Sequence, residues 1–239
     1  MTVEAGPVAG TRTLEAECWD RPAVITRSLL GYGPLAGAVY LLAGAVQGHA
    51  RDGFGFTRHS LSLLSNGPWG WIHVTTLVVT GLMTGAAALG VHRALRGGPG
   101  ATAAGALLGG YGAALVLSGI FVADPMDGFP LGTPDGPPAE ATLGGILHLV
   151  SGGVGFACLI AATVVLARRF AAESRHTWAG ASVLTGAVVL AGFAGVASGS
   201  TSPVAVLGLW AGVVVGWAWL AAVSVHLYRR TPHPARPRD

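Results

Sequence analysis

The chain has 239 residues, of which 51% are hydrophobic and only 10% charged, with a mean hydropathy of +0.58 and a formal net charge of +3. Soluble domains carry about 25% charged residues, so this composition excludes an ordinary soluble enzyme. The apolar blocks show no period-two alternation, which excludes a membrane β-barrel. A hydrocarbon core takes about 20 apolar residues per helix, and the blocks place six spans at 28–47, 70–91, 102–123, 143–167, 178–198 and 203–227. The expected fold is all-α: a polytopic bundle of six transmembrane helices over 28–228, between an N-terminal tail (1–27) and a C-terminal tail (229–239).

The N-terminal MTVEAGPVAG has no basic region followed by an apolar stretch. No cleavable signal peptide is expected, and the first span serves as the targeting signal. Cys18 lies in the tail and Cys158 in the fourth span, and there is no CxxC. Neither a disulfide nor thiol-redox chemistry is therefore expected. All 14 basic residues are arginine and 38 residues are glycine, a bias typical of a GC-rich, actinobacterial-type genome.

Orientation follows from the arginines, because cytoplasmic segments retain basic residues. Twelve fall on one side of the six spans: Arg12, Arg21, Arg27, Arg93, Arg96, Arg168, Arg169, Arg175, Arg229, Arg230, Arg236 and Arg238. Only Arg51 and Arg58 fall on the other, beside five carboxylates. Both termini are expected in the cytoplasm of a bacterial plasma membrane, with long loops at 48–69 and 124–142 facing outward. The basic inner face suits anionic lipid headgroups rather than nucleic acid.

The first outer loop reads RDGFGFTRHSLSLLSNGPWGWIH. Thr57 as N-cap and Asn66-Gly67-Pro68 as a stop predict a short interfacial helix of about two turns. On it His59, Ser62 and Asn66 fall within about 60° of one another, opposite Leu61 and Leu64. Trp69 and Trp71 then serve as interfacial anchors. His73 enters the outer end of the second span. Asp124 follows the third, where the negative end of the helix dipole makes it want a cationic or hydrogen-bonding partner such as Arg58 or Arg51. His148 lies inside the fourth, in a strip Gly144-x-x-x-His148-x-x-x-Gly152 that favours close helix contact and turns the histidine inward.

These residues define one candidate pocket opening outward. Its catalytic or metal-binding candidates are His59, Asp124 and His148, with Arg58, Ser62, Ser65, Asn66 and His73 as ligand-binding neighbours. Ionisable groups at membrane depth are functional candidates by default. The bland alternatives are an interfacial His73, an Asp124–arginine lock and a hydrogen-bonded core His148. Asp127, Asp135 and Glu140 read as solvated loop charges.

The run Gly55-Phe56-Thr57-Arg58-His59-Ser60-Leu61-Ser62-Leu63-Leu64-Ser65-Asn66-Gly67, continuing to Gly70-Trp71-Ile72, resembles the hallmark of the bacterial and archaeal domain of unknown function 998 family. That family tends to show aspartate-proline after the third span and a histidine early in the fourth, matched here by Asp124-Pro125 and His148. Arg58-His59-Ser60 departs from its usual Arg-His-Pro. The resemblance spans roughly residues 30–228; it implies the six-helix fold and topology and no established activity.

Function therefore rests on the pocket. One reading is a binding protein for a small molecule or lipid, acting as sensor or accessory subunit. A second is an intramembrane hydrolase with zinc on His59, Asp124 and His148, since nitrogen and oxygen ligands with an open position suit catalytic zinc; no HxxxH or HExxH pair supports it. A third is metal-free acid–base chemistry by Asp124 and His148 on an isoprenoid or phospholipid. A transporter is less favoured, because no Gly/Pro-broken helix pair marks a midplane site. No haem is expected, since His92, His176 and His226 sit beside arginines at inner helix ends and read as interfacial cations.

Overall fold

The computed structural model describes residues 21–138 and 140–233. Its elements are α1 (Arg21–Ala50), a 3₁₀ helix (Leu61–Ser65), α2 (Gly70–Ala94), α3 (Ala101–Ile120), α4 (Leu143–Ala172), α5 (His176–Ala197) and α6 (Pro203–Arg230). All six α-helices are long and apolar enough to cross a membrane, and among the described residues there is no strand beyond one isolated bridge. Each helix packs on its neighbours in the chain, and α6 closes back onto α1, giving a ring of six. The outward side chains are large and apolar, including Leu42, Leu143, Leu184 and Val204. A ring apolar on its outside is a bundle built for lipid.

Without a hydrophobic drive between helices in lipid, close packing must hold the ring, and small residues permit it. Gly81 of α2 lies against the backbone of Gly112 in α3, and Gly192 of α5 against that of Gly208 in α6. Gly90 of α2 meets the backbone of α1 at Leu29 and Leu30. A Cβ at any of these would strike backbone. The strip around His148 works differently from its expected role: Gly152 has nothing within 4 Å, and α4 instead approaches α3 through Gly155 against Ala114.

Helix ends follow local chemistry. Thr142 caps α4, its hydroxyl accepting from the Gly145 N–H at 3.0 Å. Ser202 caps α6 at 3.3 Å, with Pro203 in the first turn, where proline lacks only a donor that has no helical partner. α1 begins at Arg21 and so includes residues 21–27; the rest of the N-terminal tail, with Cys18, and residues 234–239 lie outside the described residues. Cys158 is a free thiol.

Both ends of the described chain meet at the arginine-rich end of the ring. Arg27 donates to the Thr231 carbonyl at 2.9 Å and stacks on Tyr228. Arg169 and Arg175 share Glu173 at 2.9 and 3.3 Å. His226 is not the free interfacial cation expected: it accepts from Arg175 and so is neutral at that nitrogen, and it packs on Trp178 at 4.3 Å. On the bundle axis, Tyr40, Tyr111 and Trp217 bring α1, α3 and α6 together, with ring centroids 5.3 and 5.8 Å from Trp217.

Candidate functional site: an interlocked cap over a buried histidine

The opposite end of the ring is covered by the two long loops folded into each other. His59 is the centre of that fold. It does not sit on a helix, because the 3₁₀ helix has only five residues and starts after Ser60 rather than Thr57. Instead residues 55–59 form a tight turn in which the Gly55 N–H donates to His59 Nδ1 at 2.9 Å. The other ring nitrogen donates to the Asp127 carbonyl of the second loop at 3.0 Å. Accepting on one nitrogen and donating on the other fixes the neutral Nε2–H tautomer. The ring is 2% exposed and packed between Phe54 and Phe129, at 5.3 and 5.5 Å.

Other contacts seal the same seam. Arg51 donates to the Leu64 carbonyl at 2.9 Å and lies 4.6 Å over the Phe129 ring. Trp210 of α6 donates to the His59 carbonyl at 3.2 Å. Arg58 pairs with Asp135 at 2.6 Å, on an exposed surface where an ion pair contributes little. Asp127, expected in solvent, is buried at 6% exposure, with its N–H on the Gly136 carbonyl at 2.9 Å. Ser65 and Asn66 are buried and Ser62 half-buried, while Leu61, Leu63 and Leu64 are all buried, so the segment has no single polar edge.

Asp124 and His148 act at helix ends. α3 stops at Ile120 and the chain turns extended at Phe121, which carries Asp124 past the helix that was to disfavour it. Its carboxylate accepts the Thr142 N–H at 3.0 Å and the Thr142 hydroxyl at 2.6 Å, beside Gly145, at the favourable end of the α4 dipole. Among the described residues no arginine pairs with it. His148 Nδ1 lies 2.9 Å from the Ser118 carbonyl and 2.8 Å from that of Phe121. Its Nδ1–H is shared between the Ser118 carbonyl in the last turn of α3, which lacks a helical partner, and the carbonyl of Phe121 just beyond the helix, and so caps α3 from α4.

His59, Asp124 and His148 are thus spent on three different junctions. Among the described residues no three His, Cys, Asp or Glu side chains are grouped so as to hold a metal ion. The zinc set expected from the sequence is not brought together, because spacing along three helices fixed their depth but not their direction.

The group left over is His73. It is not interfacial: it is 0% exposed, and neither ring nitrogen has a hydrogen-bond partner among the described residues. Tyr40 packs against its edge at 5.9 Å. On the elements that pack against α2, the Gln47 Oε1 of α1 and the Ser65 Oγ of the 3₁₀ helix are likewise buried and without a partner among the described residues. Gln47 is anchored by its Nε2 on the Trp69 carbonyl at 2.8 Å, leaving its oxygen inward. Gln47, mid-helix and alone, carried no signal in the sequence; nor did Thr142 as the partner of Asp124.

Fold and site together define a six-helix integral membrane protein with a structured loop cap over buried polar groups. A family model described as a protein of unknown function, DUF998, matches residues 34–226, and the chain belongs to that family. No curated protein and no solved structure matches it.

Proposed function

We propose that the protein is a non-enzymatic binding component of the bacterial plasma membrane, a sensor or accessory subunit that takes a small polar or lipid-like ligand beneath the loop cap. The cap faces outward and both termini face the cytoplasm. The observation that carries this reading is His73, a fully buried imidazole with two nitrogens unpartnered among the described residues, on a helix packed against the two elements that carry the unpartnered Gln47 and Ser65 oxygens. A buried polar group without a partner costs about 1–3 kcal/mol. Three such groups on mutually packed elements favour a ligand that supplies both donors and acceptors. The metal-hydrolase reading has no comparable support, since its ligands are engaged elsewhere.

Native mass spectrometry of the protein from mild detergent tests this. A bound small molecule is expected on the wild type and lost from His73→Leu, which keeps the volume and removes the nitrogens. Identical spectra for the two proteins would contradict the proposal. Orientation is tested separately: alkaline phosphatase fused after Arg230 is expected to stay inactive, and the same enzyme inserted at Asp135 to be active.

A further inference from the structure

A second feature lies at the arginine-rich end, away from the cap. There the ring holds a half-open cavity of about 290 Å³ walled by α1, α2, α4 and α6. α4 stands across the ring from α1, so a cavity with walls from both lies on the bundle axis rather than on the lipid-facing perimeter. Its floor is apolar, with Leu95 and Phe170 buried. Arg93, Arg169 and Arg230 line it against a single carboxylate, Glu173.

We propose that this axial cavity is a binding site for a phosphate-bearing anion, recognised by Arg93 with Arg169 and Arg230 beside it. Glu173 is already taken, at 2.9 Å by Arg169, 3.3 Å by Arg175 and 3.8 Å by Arg230. Arg169 is held rigid as well, donating to the Leu95 and Pro99 carbonyls at 3.3 and 3.0 Å. Arg93 differs. Its Nε donates to Thr26 at 3.1 Å, which fixes the plane of the guanidinium. Among the described residues its two terminal nitrogens have no partner and no carboxylate pairs with it.

A half-buried guanidinium fixed at one edge presents a fork matched to two phosphate oxygens. Two cationic neighbours raise the potential where the anion sits. The apolar floor accommodates the organic part of a phosphate ester, and the volume is near the lower end for small-ligand sites, about 300 Å³. Such an ester is either the headgroup of an acidic phospholipid or a soluble phosphate.

Thermal unfolding of the full chain separates these sources. The protein is placed in phosphatidylcholine nanodiscs with inorganic phosphate against chloride at equal ionic strength, and in nanodiscs containing phosphatidic acid. Stabilisation by inorganic phosphate assigns a soluble anion; stabilisation by phosphatidic acid alone assigns a lipid headgroup. In either case Arg93→Gln is expected to weaken the midpoint for the effective probe about tenfold or more. Arg96→Gln, an exposed arginine at the same end, is expected to leave it unchanged. Should Arg93→Gln fail to fold, Arg230→Gln, whose side chain is 53% exposed, is expected to weaken it severalfold. No stabilisation by either probe, or equal loss in the Arg96 variant and the cavity variants, overturns the proposal.

Discussion

The carboxylate of Asp124 takes both donors of Thr142, its N–H at 3.0 Å and its hydroxyl at 2.6 Å, while the same hydroxyl oxygen caps α4. One threonine therefore ties the start of the α3–α4 loop, at Asp124, to the first turn of α4. Thr142→Ala is expected to lower stability by about 1 kcal/mol through the lost cap. Asp124→Ala is expected to cost about 2 kcal/mol, because bonds to a charged acceptor are the stronger kind. In a double-mutant cycle by chemical denaturation the two changes should cost clearly less together than the sum of the singles, since each removes the other's partner. Additive costs would mean that the contact is not energetically coupled.

His59 joins the loops from the inside. His59→Ala removes an acceptor for Gly55 and a donor for Asp127 and leaves a gap among Phe54 and Phe129. The expected loss is about 2–4 kcal/mol from the unsatisfied groups and the gap combined. Amide hydrogen exchange should show where it falls, accelerating over both 51–66 and 124–138 while α5 is unchanged. Exchange confined to the first loop would contradict the two-loop lock.

Glycines give a contrast within one helix class. A Cβ on Gly70, in the first turn of α2, meets the Ser65 carbonyl, which is backbone and cannot swing away, whereas Gly152 in α4 faces open space. Gly70→Ala is expected to destabilise the fold or displace the 3₁₀ segment. Gly152→Ala is expected to stabilise by about 0.5–1 kcal/mol, the helical preference of alanine over glycine. Parallel melting curves of the two variants check both signs.

The spans were legible because hydropathy is a summed property. Each helix lies where its apolar block is, with ends shifted by local chemistry: α3 closes at Ile120, where His148 takes the carbonyls of Ser118 and the C-cap Phe121. Side-chain direction was not legible. Depth along a helix set His59, Asp124 and His148 at one end of the bundle, but a turn at 55–59, an extended Phe121 and a threonine cap sent them to separate partners. Loop-to-loop contacts such as His59 with Asp127 join residues 68 positions apart, and no periodicity reports them. The depth of His73 is legible in the sequence, while its lack of a hydrogen-bond partner among the described residues is visible only in three dimensions.

That isolation gives the last prediction. If His73 served only the fold, evolution of a stable core would favour an apolar side chain of similar volume, since both nitrogens are desolvated without a bond in return. His73→Leu should therefore raise the stability of the ligand-free protein, by about 1–3 kcal/mol. His73→Asn, smaller and still polar, should lower it by leaving both a gap and unpaired groups against Tyr40. Denaturation of the two variants in detergent after extensive washing provides the comparison. A destabilised His73→Leu would mean that the imidazole makes a structural bond of its own and would remove the energetic basis for placing a ligand beneath the cap.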